Sequence, residues 1–183
     1  ETAFESITYQ NTNTDDPDNT NRTITWVVSD GTANSSGVTS TITVADVNDA
    51  PVVSDAGGTL SFSTGGSATV IDGTLTITDV DDTNMESATI TISSGYESSE
   101  DVLAFTNANG ITGSWDSGTG VLTLSGTASK ANYETAFESV TYQNTDTGSP
   151  DTSDRIATWL VSDGDTNSAA GVTSTISVSA PSL

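Results

Sequence analysis

Short apolar runs separated by polar turns recur along the whole chain. In residues 38–44, the apolar residues Val38, Ile42 and Val44 lie at even-numbered positions, and the odd-numbered positions between are all Thr. Residues 172–178 repeat this period of two. This period, and the abundance of Val, Ile, Thr and Trp in the runs, are typical of β-strands with one buried face. The pattern predicts strands at residues 24–28, 38–44, 75–77, 88–92, 103–105, 113–115, 121–124, 140–142 and 172–178.

Turn-forming residues lie between these runs. Asp72-Gly73, Asn109-Gly110 and Asp163-Gly164 are pairs that favour tight turns between antiparallel strands. Residues 128–137 form the stretch with a helical composition, which is long enough for about two turns. The chain is therefore predicted to be all-β. About seven short antiparallel strands per module, with turns roughly every 8 to 12 residues, indicate a β-sandwich of the immunoglobulin type.

The sequence of the first 44 residues recurs near the C-terminal end of the chain. Three segments recur almost unchanged: residues 1–12 as 134–145, residues 25–31 as 158–164, and residues 37–44 as 171–178. The offset is 134 − 1 = 133 residues and becomes 171 − 37 = 134 at the third segment. A fixed long period is the signature of tandem modules, and about 130 residues is an ordinary domain length.

The duplication predicts the organisation of the chain. Residues 1–50 are expected to be the C-terminal half of one repeat together with its linker, and residues 51–183 a complete repeat. Trp26 and Trp159 lie at matching mid-strand positions, where an aromatic side chain most often fills the core. The first half-repeat lacks its front strands, so its apolar faces should be exposed unless something covers them. We expect a neighbouring chain, or alternatively the full module, to do so.

The charge of the chain is strongly one-sided. Its 183 residues include 25 Asp and Glu against 3 Lys and Arg, a formal net charge of −22, and contain neither Cys nor His. Such a surface repels nucleic acid and anionic membranes, so neither is an expected partner. No apolar run approaches the roughly 18 residues of a membrane helix, so we expect no membrane insertion. Without His or Cys the usual nucleophilic triads cannot form, and we expect no enzyme.

Three acidic motifs resemble those of cadherin repeats. Residues 46–51 read Asp-Val-Asn-Asp-Ala-Pro and resemble the cadherin linker Asp-x-Asn-Asp-x-Pro. Asp79-Val-Asp81 and Ser162-Asp-Gly164 resemble two further cadherin motifs. The wider pattern is similar to the cadherin-like tandem repeats of giant bacterial surface adhesins of the RTX class, which leave the cell by type I secretion. The resemblance implies a cadherin-like sandwich, a secreted or cell-surface location, and Ca²⁺ at the repeat junctions.

The chain also departs from the cadherin pattern in two places. Residues 96–101 do not supply the cadherin Asp-Arg-Glu motif, and residues 178–183 contain no acidic linker. The second departure means that no calcium junction is expected at that end.

Strand order predicts which acidic residues meet. In an immunoglobulin-type sandwich, the loop between the second and third strands and the loop between the last two strands lie at one end. Those loops and the adjoining linker supply oxygen atoms, which Ca²⁺ prefers as ligands. The predicted metal ligands are Asp46, Asn48, Asp49, Asp79, Asp81, Asp82 and Asp163, with Asp16 (beside Asp15 and Asp18) from the preceding half-module. The alternative is that these Asp and Asn side chains only stabilise turns.

Three functions fit these observations. The first is a calcium-stiffened extender, or stalk, of a secreted or surface-anchored bacterial adhesin, whose partners are neighbouring repeats of the same protein. The second is a structural subunit of an extracellular filament or sheath, which self-associates by complementation of half-modules. The third is a β-sandwich that binds carbohydrate or another partner through an exposed aromatic face. That third function requires Trp115 or Tyr96 to face solvent.

Overall fold

A computed structural model describes residues 2–169 and 172–180 of the chain. The chain divides into two compact units, Glu1–Asn48 and Asp49–Leu183. The division falls inside the acidic motif of residues 46–51. Among the described residues, no helix is long and apolar enough to cross a membrane.

In the first unit, the described residues form one helical turn and one strand pair. Helix α1 is Thr2–Glu5, strand β1 is Arg22–Trp26 and strand β2 is Val38–Ile42. The strands pair antiparallel, with Arg22 opposite Ile42 and Trp26 opposite Val38. Strand β2 ends earlier than the predicted run of 38–44.

The second unit is mostly β, as the alternation predicts. Its elements are β3 (Val52–Ser54), β4 (Thr59–Ser63), β5 (Thr69–Val70), β6 (Thr76–Thr78), β7 (Asn84–Ser94), β8 (Asp101–Ala104), β9 (Thr112–Asp116), β10 (Val121–Ser129), α2 (Lys130–Glu138), β11 (Thr141–Asn144), β12 (Arg155–Ser162) and β13 (Val172–Ser179). The predicted helix is confirmed at α2. It starts where the Ser129 side chain accepts a hydrogen bond from the Asn132 amide, a typical N-cap.

The described residues of this unit form three sheets. A six-stranded sheet has the order β4-β13-β12-β7-β10-β9, a three-stranded sheet the order β5-β11-β8, and β3 pairs with β6. The pairs are antiparallel except β13 with β4, which is parallel. The prediction missed β3, β4 and β5, of which β4 and β5 lie among Ser, Thr and Gly with few large apolar residues to mark them.

Side chains from the six-stranded sheet, the three-stranded sheet and α2 share one hydrophobic core. Trp159 of β12 is fully buried and its ring lies 5.3 Å from that of Phe137 on α2. Phe62 of β4 meets Tyr142 of β11 edge to face at 5.1 Å. Aromatic pairs at these separations add roughly 0.5–1.5 kcal/mol beyond the area that they bury. The prediction that Trp159 fills the core is confirmed.

A buried ion cluster lies in the same unit. Arg155 has no exposed surface, and its Nε donates to the equally buried Asp101 at 3.0 Å. Asp151 pairs with its Nη1 at 3.0 Å and Glu100 lies 3.6 Å from its Nη2. Burial lowers the pKa of Arg155, but the surrounding carboxylates outweigh this effect and raise it. Removing one partner of such a cluster would strand a buried charge, which costs about 3–5 kcal/mol.

Candidate metal centre

Three aspartates from distant parts of the sequence meet in the second unit. Asp79 directly follows β6, Asp82 lies just before β7, and Asp163 directly follows β12. A carboxylate oxygen from each lies within 4.8 Å of the other two. Since Ca²⁺ binds oxygen at about 2.3–2.6 Å, two ligands of one ion are at most about 5 Å apart, so this spacing suits a single ion. The predicted grouping of these three residues agrees with the structure.

The loop that carries Asp79 and Asp82 is held by its own main chain. The Oδ1 of Asp79 accepts the backbone N–H groups of Asp81 at 3.2 Å and Asp82 at 2.9 Å. Lys130 Nζ, at the start of α2, donates to the carbonyl oxygens of Asp79 at 2.8 Å and Asp82 at 2.5 Å. Nothing in the sequence pointed to Lys130, because its contacts are to main-chain atoms about fifty residues away.

Asp163 is fixed by a turn of its own. Its Oδ1 accepts the N–H groups of Asp165 and Thr166, both at 2.7 Å, and its Oδ2 accepts the Thr166 hydroxyl at 3.0 Å. The residue is 9% exposed. Thus turn formation and a place in the acidic cluster are compatible for the same side chain, and the two are not alternatives here.

The cluster is electrostatically unfavourable without a cation. Burial raises the pKa of Asp79, and the neighbouring Asp81 carboxyl adds to the rise, against the opposing effect of the Asp82 N–H bond. Burial is also the main reason that the pKa of Asp82 is raised, and repulsion from Asp79, Asp81 and Asp163 raises it further. Asp165 contributes to the same repulsion, and the prediction left it out of the site. Each raised pKa means that the folded protein disfavours the ionised carboxylate.

Two buried oxygens of this loop lack a hydrogen-bond donor. Within the described part of the chain, Asp79 Oδ2 and Asp81 Oδ1 are buried and unpaired. A buried polar atom without a partner costs on the order of 1–3 kcal/mol. A bound divalent cation would give such atoms a partner and offset the repulsion, so the residues present fit Ca²⁺. They are hard oxygen ligands, and this chain has no Cys that would favour a softer metal.

The linker residues have different positions. Asp49 belongs to the second unit, and its backbone N–H donates to Asp81 Oδ2 at 3.1 Å, so the start of this unit touches the acidic loop. Asp46 and Asn48 belong to the first unit, where Asp46 accepts the N–H of Val47 at 3.1 Å. Asp16 lies in a turn of that unit, and its N–H donates to Asn13 at 3.4 Å. Asp46, Asn48 and Asp16 as metal ligands stay predictions.

The aromatic residues considered for partner binding lie in a different part of the unit. Tyr96 and Trp115 are half-buried against the core, with their rings in edge contact at 6.1 Å. The Tyr96 hydroxyl donates to the Ser117 carbonyl at 2.6 Å. The two side chains are therefore occupied with each other and with the core instead of forming an open aromatic face.

The sequence resembles part of a very large archaeal protein. Over 78 residues, it is 46% identical to Halomucin of Haloquadratum walsbyi (strain DSM 16790 / HBSQ001). The match covers 40% of this chain but 1% of Halomucin, which therefore has several thousand residues. No family model and no solved structure matches the chain.

Proposed function

We propose that this chain is a tandem-repeat segment of a large cell-surface protein, where it serves as a calcium-stiffened extender. It would hold distal binding regions away from the cell, and its role is mechanical, not enzymatic. The observation that carries this proposal is the duplication of residues 1–44 in residues 134–178. Length built from repeats is the property that an extender needs.

The similarity to Halomucin supports this placement. A match of 46% identity within 1% of a giant protein is what one repeat of a long array would give. The name Halomucin denotes a mucin, and mucins are surface or secreted proteins. We therefore propose a secreted or cell-surface location, which also suits a chain with no Cys and a net charge of −22.

We further propose that the second unit is a cadherin-like repeat of the immunoglobulin-sandwich class. Support comes from the six-stranded and three-stranded sheets that share a core, and from the parallel pairing of β4 with the last strand, β13. The linker motif of residues 46–51 and the Asp79-Val-Asp81 motif point the same way.

Calcium would act where the chain begins this unit. The acidic loop of Asp79, Asp81 and Asp82 already holds the N–H of Asp49 through Asp81. A bound ion would fix the loop and with it the direction in which the linker leaves. Extracellular calcium sites of the modest affinity expected here, about 10⁻⁴ to 10⁻³ M, fill outside the cell and stay empty in the cytosol.

Solution scattering and sedimentation of the chain with and without Ca²⁺ test this proposal. We expect a monomer in both conditions whose maximum dimension becomes longer and better defined in millimolar Ca²⁺, because the linker then samples fewer orientations. NaCl at the same ionic strength is the control for simple charge screening. Identical scattering curves in Ca²⁺ and in EDTA would contradict the stiffening role.

A further inference from the structure

The first unit has the local structure of the back half of the second. Trp26 Nε1 donates to Ser40 Oγ at 2.9 Å, and the matching Trp159 Nε1 donates to Ser174 Oγ at 3.0 Å. Phe4 meets Trp26 at a ring distance of 5.4 Å, as Phe137 meets Trp159 at 5.3 Å. The duplication thus preserves contacts as well as sequence.

The loop after each tryptophan strand is also the same. Ser35 Oγ accepts the Val28 N–H at 3.0 Å, and Ser168 Oγ accepts the Val161 N–H at 3.1 Å. In both copies the returning backbone bond, from the N–H of that serine to the carbonyl of that valine, is 2.8 Å long. The first unit therefore presents the surface that the second unit uses inside its core.

That surface is exposed in the first unit. Phe137, Val140 and Tyr142 are completely buried, whereas their counterparts Phe4, Ile7 and Tyr9 are 45%, 57% and 45% exposed. An apolar groove of about 470 Å³ lies on it, lined by Phe4, Trp26, Val27, Val28 and Val38 with Ser35 and Ser36. In the second unit, the strands of residues 52–128 provide the cover for this face, for example where Phe62 meets Tyr142.

Arg22 indicates which charges a polypeptide that covers this face should carry. Its counterpart Arg155 is completely buried and paired with Asp101, Glu100 and Asp151. Of these, Asp101 and Glu100 come from the front half of the module. Among the described residues, Arg22 forms an ion pair with Asp18, the equivalent of Asp151, at 3.7 Å. The Arg22 side chain is 30% exposed. Arg22 therefore has the near partner of the cluster and lacks the pair that the front half supplies.

Asp30 occupies the corresponding position at the opposite end of the strand. It is the counterpart of Asp163, and like it accepts two backbone N–H groups, from Thr32 at 2.8 Å and Ala33 at 2.9 Å. In the second unit the front half brings Asp79 and Asp82 to Asp163. The exposed face thus carries an apolar groove and the Arg22 guanidinium, both of which a front half-module complements, and the acidic position that lies beside Asp79 and Asp82 in the second unit.

We propose that the exposed face of residues 2–44 binds a front half-module, a polypeptide with the sequence pattern of residues 49–129, carried by another repeat of the same protein. This inference uses the duplication and needs neither the surface location nor the calcium of the proposed function. Stoichiometry decides against a second copy of this chain. Each copy has two back halves, residues 2–44 and 134–179, but one front half, which its own back half already covers.

An extended chain tests the proposal directly. A second copy of residues 49–133 is fused to the N-terminus at Glu1, which reproduces the order of front half and back half in the second unit because Glu1 matches Glu134. We expect hydrogen exchange of the amides in β1 and β2 to slow on the order of a hundredfold, towards the rates of β12 and β13, because covered strands exchange through rarer openings. Emission of Trp26 should shift to shorter wavelength. The proposal is wrong if, in the extended chain, the amides of β1 and β2 still exchange freely while those of β12 and β13 are protected.

A disulfide gives an independent readout that does not depend on exchange rates. Thr59 lies directly opposite Thr175 in the β4–β13 pair, and Thr41 is the counterpart of Thr175. In the extended chain, Thr41→Cys with Thr59→Cys in the added copy should therefore form an intramolecular disulfide, since opposed strand residues lie within bridging range. The chain has no cysteine of its own to interfere.

The matched control is the unextended chain with Thr41→Cys and Thr59→Cys. There Thr59 faces Thr175, so no intramolecular bond to position 41 should form. If the extended double variant also fails to close its disulfide, the proposal is wrong. A disulfide-linked dimer of the control, or a concentration-dependent dimer of the parent that protects β1 and β2, would assign the face to a second copy and likewise overturn it.

Discussion

Replacing Asp82 with Asn tests the candidate metal centre most sharply, because the effect of this substitution on stability should change sign with calcium. The substitution keeps the shape of the side chain and removes one negative charge from a cluster in which burial and four neighbouring carboxylates raise the pKa of Asp82. In EDTA the variant should therefore be as stable as the parent or more stable. In Ca²⁺ it should be less stable, since one of the three grouped carboxylates is gone.

The size of the calcium effect follows from binding linkage. At 10 mM free Ca²⁺, a dissociation constant of about 10⁻³ to 10⁻⁴ M stabilises the folded unit by about 1.4 to 2.7 kcal/mol. For a unit of 183 − 49 + 1 = 135 residues, this corresponds to a rise in melting temperature of roughly 4–10 °C. A tenfold loss of affinity on replacing Asp82 would remove about 1.4 kcal/mol of this stabilisation at saturating calcium.

Differential scanning calorimetry of parent and variant, in EDTA and in 10 mM Ca²⁺, measures both signs. Glu97→Gln is the matched control, because Glu97 is exposed and lies outside the acidic cluster. NaCl at equal ionic strength separates ion binding from screening. A parent that melts at the same temperature in EDTA and in Ca²⁺ would contradict calcium binding at this cluster, as would an Asp82→Asn protein with the full calcium response.

Three further outcomes are expected. Trp159→Ala should lower the free energy of unfolding of the second unit by about 3–5 kcal/mol in urea titrations, and the matched Trp26→Ala should change it little, because Trp159 fills the core of that unit. Arg155→Met should lower the free energy of unfolding by about 3–5 kcal/mol in urea titrations against the parent, because the buried Asp101 carboxylate keeps its hydrogen bonds from Tyr142 and Glu97 but loses its counter-charge. In EDTA, the raised pKa of Asp79 supplies stability below the ordinary pKa of about 3.8, and this stability is lost as the pH rises through the folded pKa. The melting temperature of Asp79→Asn relative to the parent should therefore increase as the pH is raised above about 3.8.

Much of the fold was predictable from the sequence because it rests on local pattern. The period-two alternation of residues 88–92 and 121–124 identified β7 and β10, although both strands extend further than the pattern. The helical composition of residues 128–137 identified α2. The duplication placed Trp26 and Trp159 in equivalent strands, and their hydrogen bonds to serine are indeed the same. These features depend on neighbours within one element or one hairpin, which the sequence displays directly.

Part of the acidic cluster was also predictable, through the order of the loops. Alternating strands place the loop after β6 and the loop after β12 at one end, which brings Asp79, Asp82 and Asp163 together. Residue type alone did not separate these three from Asp16 or Asp46, because all are acidic residues in polar segments.

Equivalent residues of the two repeats differ in burial, and this difference depends on the tertiary structure. Arg155 and Arg22 occupy equivalent places in the repeat, yet one is enclosed with Asp101 and the other is partly exposed. Lys130 holds the acidic loop by contacts across about fifty residues of sequence. Such differences come from desolvation and from partners on distant strands. Both arise only when the front half of the module packs on the back half, so no local pattern records them.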